Sequence, residues 1–398
     1  MGQSTSLSPD AFRAHVRDWL RANFPVVLTG QTARPVHSES HDAPPPEYIE
    51  WKRRMGLIGW GVPGWPTEYG GAGLNPEEID ILDQEIVRIG AFNPINGLGV
   101  MMLGPTVLEF GTDAQKREHL PPIARGELQW CQGFSEPGAG SDLASLQTRC
   151  VDEGDHWLVN GQKIWTSFAH LSDWCFCLVR TDTTRKQAGI SFLLIDMKTP
   201  GIEVRPIKLI NGVSHFCETF LTDVKVPKEN LLGPLNGGWT VAKRLLQHER
   251  SGLSVQRVSG DAIIALAQEY VGVDADGRLR DMDLRARLID HVMTDRAYAM
   301  TLLRRAAEAE AGLVPTTPLS AIKNIGAKVA QDRGELTVEI LGNKSLGWDG
   351  EGFSARELEA TSAWLYSKCF SIYGGSHEVQ NNITAKHVLG LPDILKGR

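Results

Sequence analysis

Between Trp157 and Val226, five short runs rich in β-branched and aromatic residues follow one another, with long helical periods on both sides. No other feature restricts the fold as much. The runs are Trp157–Val159, Trp174–Arg180, Ile190–Asp196, Ile202–Arg205 and Thr219–Val226. Turn signals at Asn160-Gly161, Thr199-Pro200-Gly201 and Asn211-Gly212 separate them. Strands this close together predict an antiparallel sheet domain. Ahead of it, Phe12, Val16, Trp19 and Leu20 recur at helical spacing behind the capping candidates Ser8 and Asp10. Pro35–Pro46 breaks the period and predicts a surface loop. Ile79, Leu82, Ile86 and Ile89 then form one stripe over Glu77–Ile89, and Pro121-Pro122 with Gly126 close the helical region. After Gly238 the period returns, with Leu284, Leu288 and Val292 on one helix. Ile322, Ile325, Val329, Leu336 and Ile340 mark another. The expected order is helices, sheet, helical bundle: an α+β chain.

Length and composition narrow the function classes. At 398 residues, two or three domains and a large core are expected. A formal charge of −7 argues against a nucleic-acid binder, which would carry a basic face. No run reaches the roughly 18 apolar residues of a membrane span, and Met1–Ser6 lacks the pattern of a secretion signal. The six cysteines (131, 150, 175, 177, 217, 369) contain no Cys-x-x-Cys and read as buried thiols, and the 11 histidines are scattered. No metal site is expected, and the expected compartment is a reducing cytoplasm. A dinucleotide fingerprint after a strand, a Walker loop and a Gly-x-Ser-x-Gly elbow are all missing.

Four clusters have the residue types for chemistry. Phe134-Ser135-Glu136-Pro137-Gly138-Ala139-Gly140-Ser141-Asp142 is small and hydroxyl-rich, so its backbone N–H groups can approach an anion or a flat ring. An ordinary turn is the competing reading. Val159-Asn160-Gly161-Gln162-Lys163-Ile164-Trp165-Thr166-Ser167 reads as an Asn-Gly hairpin turn feeding a strand. Its Trp165 beside Thr166 and Ser167 suits a heteroaromatic cofactor, or else is a core tryptophan. On a helix over Gly238–Leu253, Glu249 shares an apolar stripe with Val241, Leu245 and Leu253. Desolvation there would make it a better base near neutral pH; an ion pair with a distant arginine is the alternative. Arg250, beside it, could meet a phosphate or carboxylate. Finally, Tyr373-Gly374-Gly375-Ser376-His377-Glu378 offers close backbone approach or a plain helix-connecting turn.

Taken together and in this order, the clusters resemble the acyl-CoA dehydrogenase family over nearly the whole chain. The match runs from Gly59-Trp60 and Tyr69-Gly70-Gly71 to Gly375-Ser376-His377-Glu378-Val379-Gln380. The strings Ser-Glu-Pro-Gly-Ala-Gly-Ser-Asp and Asn-Gly-Gln-Lys-Ile-Trp-Thr-Ser are its most specific part. Trp130-Cys131-Gln132-Gly133-Phe134 is similar to the large subunits of pimeloyl-CoA dehydrogenases and to bacterial dehydrogenases of steroid side chains.

The resemblance implies an N-terminal helical domain (1–127), a central antiparallel β-barrel-like domain (128–236) and a C-terminal four-helix bundle (237–398). It implies FAD between the β domain and the bundle, with Phe134, Ser135, Trp165 and Ser167 lining the isoalloxazine ring and Gly375 and Ser376 also beside the cofactor. Ser141 would stand near the phosphates or the CoA arm, and Arg250 near the pantetheine end. A carboxylate would take the α-proton while a hydride leaves the β-carbon, with the backbone N–H at Gly374 holding the thioester oxygen. The resemblance further implies a tetramer, built of one chain or of two paralogous ones, that passes electrons to electron-transfer flavoprotein.

Three departures sharpen that expectation. Many members carry the catalytic glutamate where this chain has Gly374; a minority carry it at the position of Glu249, in Gln247-His248-Glu249-Arg250. Glu249 is therefore the expected base, and Glu378 a weaker candidate. The Arg-x-x-Phe-Gly motif is missing around Gly277–Leu284, and Gln-x-x-Gly-Gly survives only as Glu339-Ile340-Leu341-Gly342-Asn343. A paralogous partner chain supplying those FAD contacts would account for both losses. A flavin oxidase or monooxygenase on the same scaffold, and a non-catalytic subunit of a heteromeric enzyme, are the competing functions.

Overall fold

The computed structural model describes residues 7–31, 44–253, 260–314 and 316–392, apart from the side chains of 249–253, 260, 261 and 310. Most of the loop expected at Pro35–Pro46 lies outside the described residues. The chain divides into two compact units: Met1–Lys208 with Ser214–His248, and Leu209–Val213 with Glu249–Arg398.

The first unit opens with helices α1 (Pro9–Asn23), α2 (Pro46–Leu57) and α3 (Pro76–Arg88). Ser8 caps α1 by accepting from the Ala11 N–H, and Asn75 with Glu78 forms a reciprocal capping box on α3. Their apolar stripes, including Val16, Leu20, Trp51, Met55, Leu82 and Ile86, close on one another as a core. A π-helical turn at Gly99–Leu103, α4 (Gly104–Phe110) and α5 (Asp113–Ala124) follow. Pro121 and Pro122 sit inside α5 rather than after it. They remove two ladder donors, yet the Arg125 N–H still reaches the Pro121 carbonyl at 3.1 Å, and the helix ends just before Gly126, whose φ is 67°.

Seven strands form one sheet: β1 (Trp130–Gly133), β2 (Arg149–Asp152), β3 (His156–Ser167), β4 (Trp174–Arg180), β5 (Ile190–Asp196), β6 (Ile202–Ile207) and β7 (Phe216–Pro227). Their order is β1-β4-β2-β3-β7-β6, with β5 on β4. Pairing is mainly antiparallel; β1 runs parallel to β4, with Cys131 opposite Cys175. Alternate residues of β4 and β5 feed two cores. Phe176, Leu178, Phe192 and Leu194 meet Met102, Leu103, Val107 and Leu120 from the helices. Cys175, Cys177, Val179, Leu193 and Ile195 meet Val159, Cys217, Leu221 and Val224 across the curled sheet. Strands buried on both faces read as unbroken apolar runs, which is why these two stand out in the sequence.

Asn160-Gly161 is not a turn. Strand β3 runs straight through it, and the register with β7 slips between Val159 and Gly161. Asn160 holds the slip by donating to Asp223 Oδ1 and accepting from the Asp223 N–H. A Cβ on Gly161 would come 2.6 Å from Thr148 Oγ1, so only glycine fits. The pair serves a bulge rather than a reversal.

Helix α6 (Gly238–Leu253) continues from the first unit into the second. The second unit then adds α7 (Gly260–Tyr270), α8 (Met282–Glu310), α9 (Leu319–Leu341), α10 (Ala355–Ser367) and α11 (His377–Ile383). Ile263, Leu266, Leu284, Leu288, Val292, Leu336 and Ile340 make its core. Of the stripe expected on α9, Ile325 is turned outward. A second apolar row on α8, made of Met282, Ile289, Met293, Met300 and Leu303, is exposed. Among the described residues, no helix is long and apolar enough to cross a membrane.

Candidate functional site

Two of the four clusters come together in the first unit. The loop that begins at Phe134 leaves β1, and the Ile164 N–H donates to the Ser135 carbonyl at 2.9 Å. That bond joins the loop to β3 one residue before Trp165. The Phe134 ring turns into the core, edge-on to Phe176 and Phe192, so its backbone is what can front a ligand. Ser135 is half-buried and Ser141 exposed. Gly138 and Gly140 border open space, with nothing within 4 Å of a Cβ placed there.

Trp165 is not a core tryptophan. The β3–β7 register breaks between Lys163 and Thr166, and Trp165 takes a φ of 60° there. A bulky residue in the left-handed region costs roughly 1–2 kcal/mol. The bulge swings its indole outward, 52% exposed, edge-on to Phe216. Thr166 is buried instead, and Ser167, opposite Phe216 in the ladder, is half-buried.

Beneath the loop lies a charge pair. Lys163 Nζ, 1% exposed, meets Glu136 Oε1 at 2.8 Å and also donates to the Phe134 carbonyl at 3.3 Å. Glu136 accepts from the Gln147 and Thr148 N–H groups at 2.6 and 2.8 Å. Burial pushes the Glu136 carboxyl up, but the Lys163 charge and these hydrogen bonds outweigh it and leave it below the ordinary range. Farther along, the buried Arg180 guanidinium donates to the Ala144, Leu146 and Arg185 carbonyls. Both residues of the pair stand inside the sequence strings already singled out, yet nothing local in either string marks them as partners.

The third cluster is only partly in view. Helix α6 is unbroken from Gly238 to Leu253, so Val241, Leu245 and position 249 fall on one stripe. Val241 and Leu245 are fully buried in the first unit's core. The side chains of Glu249, Arg250 and Leu253 lie outside the described residues. One turn earlier, Arg244 pairs with Glu109 at 2.6 Å. Burial, with help from Arg244, pushes the His248 pKa down.

The fourth cluster, in the second unit, is a tight helix-entry turn. Gly374 and Gly375 have φ values of 66° and 88°. The buried Gln380 donates to the Gly374 carbonyl at 2.6 Å, and a Cβ on Gly375 would come 2.5 Å from that amide nitrogen. Lys323 donates to the Gly375 carbonyl at 2.6 Å, and Ser376 caps α11 through the Val379 N–H. Both glycines are thus required by the turn itself. Glu378 is exposed, and hydrogen bonds from its own N–H and from Ser376 hold it below the ordinary carboxylate range. It is a poor base.

A flat heteroaromatic ring fits the first unit's surface: an outward indole on a bulge, hydroxyls at Ser135 and Ser167 beside it, and a loop open at Gly138 and Gly140. Glu339, where the family pattern expects glutamine, pairs with Arg287, so its charge is compensated within the second unit.

Known proteins match the chain along nearly its whole length. The acyl-CoA dehydrogenase N-terminal domain matches residues 9–127, the middle domain 131–224 and the C-terminal domain 236–389. Acyl-CoA dehydrogenase IpdE1 of Mycobacterium tuberculosis is 36% identical over 98% of this chain and 99% of its own. Among solved structures, the Tcur3481-Tcur3483 steroid ACAD superposes with a TM-score of 0.77 at 28% identity, covering 98% of this chain and 100% of that one. The ChsE4-ChsE5 complex of Mycobacterium tuberculosis gives 0.74 at 30% identity, covering 99% and 100%.

Proposed function

The chain belongs to the acyl-CoA dehydrogenase family, and from that premise we propose that it desaturates a bulky, branched or dicarboxylic acyl-CoA to the trans-2-enoyl thioester with FAD as cofactor. The observation that carries this reading is the Ile164–Ser135 bond, which makes one surface of two strings far apart in the chain. FAD, when bound, supplies the hydride acceptor. The chain's own part is to hold the ring with Ser135, Trp165, Ser167 and the Phe134 backbone, to offer the Gly374 N–H to the thioester oxygen, and to take the α-proton on the Glu249 carboxylate. Gly375 and Ser376 stand beside the cofactor, and Ser141 and Arg250 serve the phosphate-bearing arms. The proposed domains are 1–127, 128–236 and 237–398, the last carrying the proposed base.

The choice of Glu249 over Glu378 rests on the exposed, hydrogen-bonded state of Glu378 and on the buried Val241 and Leu245 that share the stripe of position 249. The bulky substrate is supported by the relative named for a steroid substrate. The exposed row on α8 and the missing Arg-x-x-Phe-Gly support a tetramer with a paralogous chain. Electron-transfer flavoprotein is the proposed acceptor. A reducing cytoplasm suits six thiols without a disulfide.

Glu249→Gln is the test, run on a thioester panel with a dye acceptor. Turnover falls about 10²–10⁴-fold, the usual worth of a general base, with flavin and fold intact, whereas Glu378→Gln stays active. Undiminished turnover in Glu249→Gln removes the assignment. Rapid reoxidation of the reduced flavin in air would instead favour an oxidase, and a flavin-free, inactive purified complex a non-catalytic subunit.

A further inference from the structure

We propose that Glu136 and Lys163 are positioning residues that fix the 134–148 segment against β3 and so set where Ser135 and Trp165 stand relative to a bound flavin. The inference rests on the ring-facing reading given above and adds to it the groups that hold the ring-facing ones in place.

The pair's reach makes the case. Lys163 binds the segment's first carbonyl, Phe134 O, and its carboxylate partner Glu136 binds the N–H groups of Gln147 and Thr148 near the segment's end. The two side chains thereby close the segment into a loop whose middle, Pro137 to Asp142 apart from Ala139, is solvent-exposed. Two backbone bonds between Glu136 and Ala139, each 3.0 Å, tighten the turn inside it. Lys163 is also the last β3 residue in register with β7 before the bulge that turns Trp165 outward. One ammonium therefore ties together the start of the loop and the strand position from which the indole departs.

Stability alone does not explain such a pair. A buried ion pair exchanged for apolar side chains of similar volume is often neutral or stabilising. What apolar residues cannot reproduce is the direction of the bonds. With the carboxylate gone, two adjacent buried or half-buried N–H groups lose their acceptor, and the loop is free to choose another shape.

The experiment uses the full-length chain, together with any partner chain that copurifies, and titrates FAD into the apoprotein. The variant Glu136→Leu with Lys163→Met removes both charges and the acceptor of the Gln147 and Thr148 N–H groups at similar volume. Expected are an apoprotein melting midpoint close to wild type, FAD affinity lowered at least about 10-fold and a shifted visible band of bound flavin. Wild-type affinity and spectrum in a folded variant overturn the proposal. Should the double variant not fold, Glu136→Asp, which keeps the charge on a shorter arm, decides on the same two readouts. Trp165→Ala is measured beside them. A flavin response in Trp165→Ala but none in the pair variant overturns the clamp alone, whereas no response in Trp165→Ala removes the ring-facing reading and the clamp with it.

Discussion

Strand β5 and helix α8 treat their apolar residues in opposite ways. In β5 every residue from Ile190 to Ile195 is buried, because helices cover one face and the curled sheet covers the other. In α8, Leu284, Leu288 and Val292 are buried while Met282, Ile289, Met293, Met300 and Leu303 stay in water. Burying one such side chain is worth roughly 1.5–3 kcal/mol, and contiguous rows of them mark interaction surfaces. The first unit exposes scattered apolar residues such as Val26, Leu57 and Val87 and carries the surface proposed for the flavin. The second carries the exposed row on α8, proposed above as an interface, and the proposed base.

The largest expected effect strikes the self-contained core. Phe192→Ala, at the middle of β5 and stacked on Phe176, should cost about 3–5 kcal/mol in urea unfolding. A loss below about 1 kcal/mol would show that the first unit is not tightly packed. Next comes acid sensitivity. His119 is fully buried, edge-on to Trp130 and Trp174, and burial lowers its pKa from 6.5 despite the opposing Glu118. The unfolded chain takes up that proton first, so stability is full above pH 6.5 and falls as pH drops towards the lower folded value. One proton gives a slope of at most about 1.4 kcal/mol per pH unit. His119→Phe should remove its share of the slope, leaving those of His248 and His291, whose pKa values burial also lowers. An unchanged slope would mean that the native fold does not lower the His119 pKa.

Smaller still are the caps. Thr112→Ala in the first unit and Ser354→Ala in the second each break a capping box, and each should cost about 1 kcal/mol by denaturant midpoint. Two transitions, each shifted by only one of the variants, would show that the two units unfold separately. Least of all is Met293→Asp on the exposed row. Chain stability should change by no more than about 0.5 kcal/mol, while association measured by light scattering is lost. Undisturbed association would take α8 out of the interface.

Much of this contrast is legible in the sequence, for physical reasons. Strands β4 and β5 are visible because burial on both faces leaves unbroken apolar runs, and α1 and α3 because of their apolar stripes, the first behind the capping Ser8. The periodicity that puts position 249 beside Val241 and Leu245 needs only an uninterrupted helix, which α6 is. Other features depend on contacts that no local pattern records. Asn160-Gly161 has the composition of a hairpin turn, but Asp223 on a neighbouring strand makes it a bulge. Trp165 looks like a core residue until the register slip turns it out. Glu136 and Lys163 are an ordinary acid and base 27 positions apart until the loop folds back on β3. The flavin itself enters through the family resemblance, since an exposed indole and nearby hydroxyls suit many flat rings.

The cysteines give the two units separate voices. Cys131, Cys150, Cys175, Cys177 and Cys217 are sealed inside the first, and only Cys369, half-buried, belongs to the second. Burial raises Cys150 to about 12 and Cys369 to about 11, so these two thiols hold hardly any reactive thiolate near neutrality. A thiol-specific label therefore works as a native chronometer. A single adduct dates the breathing of the helical half, and a burst of five dates the opening of the sheet.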